Sequence, residues 1–427
     1  MPRYDLPVSD TVRRVTRNAV WLAVGEGAVK GALFLAAIIV ARSAGPDGMG
    51  IFSIAFAAAI LAVMVLAAGQ QEVVIREVAA APGRAGTLLD AARKVQNRLA
   101  WWVLPMLAVG ALLIRQQDLR LALLAFIPYA HLRTLLVTHG AAFKGLDRMD
   151  MEVRARGVEV LIVLPGLLAV GVAGLPVWTT GVIFSVGAGA ALIWLSTRSR
   201  HLDRSPQESD PEGRTSEPSV WRYFRHEGLP FLALAVASQL LARADTFLLA
   251  AYDVSTKEIG FYGAAGAPVW GIVALPTLLA VAFYPTLSRW AAEGQSPIKA
   301  VAVAVICGGV LGSALAVAIG ISREPLVLLA YGTDYTPAVS LLSRLVWVLP
   351  TKFVMTFLGL ILAAWHRQHL ALVAVVGVLA LSIGLNLIWI PTMGAMGSAT
   401  AAVASHAAGV LILVVVTVTT PLRRRLR

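Results

Sequence analysis

Residues 31–67 read "GALFLAAIIVARSAGPDGMGIFSIAFAAAILAVMVLA". Two apolar runs flank Ala41–Gly50, a stretch that carries three glycines (Gly45, Gly48, Gly50), a proline and an aspartate. Roughly 30 Å of hydrocarbon needs about 20 apolar residues in a helix, and the flanking runs reach that length over 20–41 and 50–69. A glycine-rich stretch can cradle a phosphate on bare backbone N–H groups, or it can simply turn the chain. Which of these applies depends on the face of the membrane on which it lies.

The same pattern recurs along the chain. Apolar runs near 20–41, 50–69, 99–114, 120–139, 158–174, 176–196, 229–252, 260–283, 298–321, 338–362, 368–390 and 393–417 give twelve expected spans. Composition agrees: 58% of the 427 residues are hydrophobic and 14% charged, whereas soluble domains carry about 25% charged residues. The expected fold is all-α, a polytopic membrane protein with two six-helix lobes. The lobes are expected at 1–200 and 229–427, joined by the polar, Ser- and Pro-rich stretch 201–228 as a linker on the cytoplasmic side. The single cysteine, Cys307, excludes an intramolecular disulfide. No cleaved signal peptide is expected, because Glu26 and Lys30 interrupt the first apolar run.

Orientation follows from the bases. With the N-terminus inside, twenty-six of the 36 Lys and Arg residues fall on cytoplasmic segments and five outside. The inner clusters include Arg13, Arg14 and Arg17, then Arg76, Arg84, Arg93, Lys94 and Arg98, then Lys144, Arg148, Arg154 and Arg156, and last Arg423–Arg425. Bases retained on the inner side set topology, so both termini are expected in the cytoplasm. The net charge of +12 is then topology plus attraction to anionic lipid, and no nucleic-acid partner is needed. Ala41–Gly50 falls outside, away from any ATP pool, so it reads as a turn. Within the segment 70–98, apolar positions alternate with bases around Pro82-Gly83, a pattern suited to an amphipathic element at the inner surface.

The chain also repeats itself. At an offset of 210 residues, "GIFSIAFA" (50–57) falls on "GFYGAAGA" (260–267); at 219, Arg133 falls on Lys352. Two parallel six-span halves place a substrate path between them.

The segments "NAVW" (18–21), "GALFLAAIIVARSAGPDGMGIFSIAFA" (31–57), "AAGQQEVVIREVA" (67–79), "ARADTFLLAAY" (242–252), "VLLAYGTDYTPAVSLL" (327–342) and "NLIWIPTMGAMGSATAA" (386–402) together resemble the polysaccharide (O-antigen type) flippases. These belong to the multidrug/oligosaccharidyl-lipid/polysaccharide exporter superfamily. The resemblance implies two six-helix bundles around a central, often cationic cavity, alternating access and a bacterial inner-membrane location. It also implies an undecaprenyl-diphosphate-linked oligosaccharide as substrate, with a polysaccharide polymerase and glycosyltransferases as associated proteins. A cation-coupled multidrug extruder of the same superfamily is the alternative.

Five bases fall inside expected spans: Lys30, Arg133, Arg243, Arg344 and Lys352. Each costs about 2.5–3.5 kcal/mol against lipid at mid-membrane, so each must face a cavity, pair with an acid or reach the interface. Arg344 suits the interface. Lys30, Arg133, Arg243 and Lys352 are the candidate substrate-cavity residues, and a pair of bases matches the charge of a diphosphate. Glu26 precedes Lys30 by one turn, the favourable order for a helical ion pair. Arg243 and Asp245 are about 200° apart around a helix, so Asp245 can grip a neighbouring helix while Arg243 faces the cavity. Asp245 and Glu26 are candidate coupling or structural acids. No catalytic group, cofactor or metal site is expected, and the absence of a Walker A sequence removes ATP hydrolysis by that route. With both termini inside, an alkaline phosphatase fused after Arg427 is expected to be inactive and a fluorescent protein at the same point bright; the reverse pattern would invert the topology.

Overall fold

The computed structural model describes residues 8–199, 217–293, 296, 298–365 and 367–419. Most of the expected linker, the tail Arg423–Arg425, His201 and His366 lie outside the described residues. Among those described the chain is helical, with no strand. This is what hydrocarbon demands, because a backbone N–H or C=O with no water nearby must bond within its own segment.

Fourteen helices follow in order: α1 (Val8–Ala67), α2 (Gln70–Ala80), α3 (Ala85–Leu112), α4 (Gln117–Gly145), α5 (Met149–Val172), α6 (Thr179–Ser199) and α7 (Glu217–Ala251), then α8 (Thr256–Ile272), α9 (Ala274–Ala292), α10 (Ile298–Ile321), α11 (Arg323–Tyr331), α12 (Thr336–Leu345), α13 (Val348–Ala364) and α14 (Gln368–Thr419). Every expected span falls on helix. Seven helices of the described structure are long and apolar enough to cross a membrane by themselves, or eight if the bent stretch 333–364 counts as one span. That count is below the expected twelve, partly because α1 and α14 each run through a kink as one element and α12 and α13 form the bent pair.

The kinks have local causes. Gly45 takes φ 66°, a conformation open to glycine at no steric penalty, and Pro46 then disfavours the helical region for the residue before it. The turn expected within Ala41–Gly50 is concentrated in this one residue. In α14, Gly394 takes φ 55°, and Glu258 Oε1 accepts the Ala395 N–H at 2.7 Å, capping the helix that resumes there.

The chain forms two compact units. One comprises Met1–Ala32 and Ala58–Val236; the other comprises Leu33–Ala57 and Ala237–Arg427. In the first unit, Val73, Val74 and Val78 of α2 are fully buried with Leu89, Ala92 and Val95 of α3 against Ala141 and Ala142 of α4. The apolar face of 70–98 therefore meets protein and not headgroups, a departure from the interfacial expectation. Alternation reports that a face is covered, not what covers it. Further along α3, Trp101 and Trp102 are 79% and 80% exposed, as expected of a lipid-facing surface. In the second unit, a core of Ala300, Ala304, Val354, Leu358, Ile361, Ala374, Val378 and Leu413 joins α10, α13 and α14.

Close helix packing rests on small residues. A Cβ on Gly181 of α6 would lie 2.8 Å from the Ala125 carbonyl carbon of α4, whereas one on Gly157 of α5 would meet nothing within 4 Å. Gly181→Ala is expected to destabilise the purified protein by about 1–3 kcal/mol through overpacking, and Gly157→Ala to be neutral or stabilising by about 0.5–1 kcal/mol; thermal unfolding in detergent compares the two.

Candidate functional site

In the first unit, α1, α4 and α5 bring six charges together. Arg156 donates from Nη1 to Glu26 Oε1 at 2.8 Å and from Nη2 to Glu152 Oε1 at 2.7 Å. Lys144 Nζ lies 2.9 Å from Glu152 Oε2. Arg133 donates to Glu159 Oε2. The side chains of Arg133, Lys144, Glu152, Arg156 and Glu159 are only 10–17% exposed, Glu26 33%. Three acids balance three bases, so the cluster is neutral, and the low exposure strengthens each attraction. Arg133, Leu136, Val137, Glu152, Ala155 and Arg156 border a narrow cavity beside it.

Of the candidates in this unit, Glu26 is thus held by a base 130 residues away. Lys30 is partly exposed and makes contacts of its own. Arg133 is held by Glu159. Sequence reasoning passed over Glu159, Glu152, Lys144 and Arg156 because they sit at the inner ends of spans, where charges look solvated. The spacing Glu152-x-x-x-Arg156 with Glu159 three residues on puts all three on one helical face, and that signal could have marked them.

In the second unit a polar cluster sits among apolar helices. Asp245 on α7 is 3% exposed, and its Oδ2 accepts from Tyr262 Oη on α8. Its Oδ1 has no hydrogen-bond partner among the described residues. Asn386 of α14 stands beside it, fixed by donating to Ser382 O at 2.8 Å and by accepting from Ser398 Oγ at 2.7 Å. Asn386 and Ser398 are fully buried. Arg243 and Lys352 lie within electrostatic range of Asp245, and Lys352 Nζ is 6.0 Å from the centroid of the Trp270 ring, at the limit of a cation–π contact. Neither base forms a salt bridge among the described residues, and both are only partly buried. The cluster therefore carries two bases against one acid. Tyr262, Asn386 and Ser398 come from three stretches of sequence and had no motif to announce them.

Among the described residues the chain is all helix, with kinked and broken apolar stretches and charges gathered inside its helix bundles. It superposes on the lipid II flippase MurJ in an inward closed conformation with a TM-score of 0.74 at 13% identity, over 95% of this chain and 88% of that one. It superposes on an inward-facing multidrug resistance MATE family transporter of the MOP superfamily with a TM-score of 0.71 at 12% identity, over 95% and 100%. A eukaryotic MATE transporter gives 0.63 at 14% identity, over 97% of both chains. No curated sequence matches the chain. The profile of the polysaccharide biosynthesis protein family matches residues 15–291, and the chain belongs to that family. It is a multi-pass membrane protein with the MOP-superfamily transporter and flippase fold.

Removing one partner of a buried ion pair leaves the other charge uncompensated, at about 3–5 kcal/mol. Glu159→Gln is expected to lower the unfolding temperature clearly, and the double replacement R133M/E159M to recover most of the loss. Additive losses in thermal unfolding of the three variants would show that the pair is not coupled.

Proposed function

We propose that this protein carries an undecaprenyl-diphosphate-linked oligosaccharide from the cytoplasmic to the outer leaflet of the bacterial inner membrane by alternating access, for surface polysaccharide biosynthesis. On this reading both termini are cytoplasmic, and polymerase and glycosyltransferases work on the same glycan. The observation that carries it is the charge imbalance of the second unit: Arg243 and Lys352 face one buried acid and form no salt bridge among the described residues. A diphosphate brings the anionic oxygens that such bases lack, and Arg suits phosphate by its fork of donors. Family membership supports the glycan. Arg133 serves differently from Lys352, because an anion reaches it only when its bond to Glu159 opens. Asp245, with one oxygen unpartnered, is the acid placed to take up a coupling cation or proton. Glu26 and Lys30 belong to the charge set that responds as the unit shifts.

Extrusion of cationic drugs is the second reading, supported by the likeness in fold to MATE transporters. The two separate by the sign of the cargo. A hydrogen bond to a charged group contributes ~1.5–3 kcal/mol, so Arg243→Ala or Lys352→Ala is expected to weaken lipid-diphosphate binding roughly 10–100-fold. Surface polysaccharide in a complemented deletion strain should fall accordingly with protein abundance unchanged, and Lys352→Arg should retain export. Normal polysaccharide in both alanine variants, with energised efflux of cationic dyes by the parent, would sink the flippase reading.

A further inference from the structure

His406 of α14 is 1% exposed. Its Nδ1 lies 2.7 Å from the Ala402 carbonyl oxygen, one turn back along the helix. A carbonyl oxygen only accepts, so Nδ1 carries the hydrogen and donates. In the neutral ring the other nitrogen, Nε2, is then a lone-pair acceptor. Nε2 is buried and has no hydrogen-bond partner among the described residues. Native interiors seldom leave such an atom unpaired, so this one calls for a donor.

The packing of α13 against α14 brings one to it. A Cβ on Gly409 would lie 3.1 Å from Met355 Cε and 3.3 Å from its Sδ, so the two helices touch at that level. His406 stands three residues before Gly409, and Lys352 three before Met355, in each case close to one helical turn. Lys352 lies within electrostatic range of the His406 ring, so the contacts advance in the same direction along both helices. The ammonium of Lys352 has three N–H donors. Among the described residues it makes no hydrogen bond or salt bridge, and Trp270 offers it only a ring face at 6.0 Å. A charged donor with nothing to bond costs more than a neutral one as water is withdrawn. An orphaned acceptor and orphaned donors thus stand on facing sides of one helix pair, and the flexible four-carbon stem of lysine gives the reach.

We infer that His406 is the positioning residue for Lys352: its Nε2 accepts from the ammonium, directly or through one water, and holds it in place for an anionic ligand. The identity of that ligand, a lipid-linked diphosphate, rests on the flippase reading; the pairing itself does not. The choice of partner matters. In the first unit Glu159 holds Arg133 and cancels its charge, whereas a neutral imidazole holds an ammonium and leaves the charge intact. Three donors also let Lys352 keep its bond to His406 while presenting N–H groups to Asp245, whose Oδ1 is unpartnered, or to a diphosphate.

Asparagine and glutamine at position 406 separate this role from simple packing. The Asn amide stands where Nδ1 does and keeps the bond to Ala402 O, but it does not reach the place of Nε2. The Gln amide reaches that place and keeps an acceptor there. Purified full-length protein in detergent is titrated with undecaprenyl diphosphate. H406Q is expected to bind within about threefold of the parent and H406N roughly tenfold more weakly, and H406N is expected to cause no further loss in a K352A background. H406L replaces H406N if the latter does not accumulate. A second arm needs no ligand: in thermal unfolding, H406L/K352M is expected to shift the midpoint by less than the two single shifts together. Parent-like binding by H406N, an undiminished effect of H406N in K352A, or additive shifts in unfolding overturns the inference. Non-additive unfolding in a parent that does not bind undecaprenyl diphosphate supports the pair and overturns the flippase reading instead.

Discussion

In hydrocarbon, each backbone N–H and C=O must find its partner inside the protein, and the helix is the local solution. The rest of this structure depends on that constraint and on the few places where it is relaxed. Where α14 breaks and where α11 ends, the freed groups are not left bare. At Gly394 the carboxylate of Glu258 takes the Ala395 N–H, and at the end of α11 the guanidinium of Arg42 takes two carbonyls. Both of these ends are closed by a polar side chain brought from a distant stretch of sequence. Those same side chains bind one helix to another, so the kinks are also where the second unit is fastened.

Side-chain charge follows the same logic with different outcomes in the two units. In the first, Glu26, Lys144, Glu152 and Arg156 form one chain of pairs, and Arg133 with Glu159 forms another. Each of these three bases has its acid, so the cluster carries no net charge. In the second, Asp245 is held by Tyr262 and cannot neutralise both Arg243 and Lys352. The imbalance separates the neutral cluster of the first unit from the net-basic cluster of the second. It also explains why basic residues at matched repeat positions, Arg133 and Lys352, have unlike surroundings: Glu159 has no counterpart beside Lys352 among the described residues.

The span pattern was legible because hydropathy over about 20 residues is a local property, and every expected span met a helix. The breaks were less legible. Gly45-Pro46 announces one, but Gly394 looks like any other glycine in an apolar run until Glu258 arrives to cap the helix. The candidate bases were legible by their cost in a span, and Asp245 with them. Their partners were not, since Glu26 meets Arg156 and Asp245 meets Tyr262 only when separate helices pack. The segment 70–98 shows the limit from the other side: its alternation was plain, yet Val73, Val74 and Val78 are covered by α3 and α4 and not by lipid.

By itself the sequence determined an all-helical membrane protein, its repeat, and the short set of charges that cannot be left in lipid, because hydrophobicity and charge act residue by residue. The tertiary structure decided which of those charges are neutralised and which glycines turn the chain and which let two helices touch. Gly45 and Gly50 stand five residues apart in one loop. The first bends the backbone through its own φ, which is local; the second is needed only because Thr256, two hundred residues on, lies where its side chain would be.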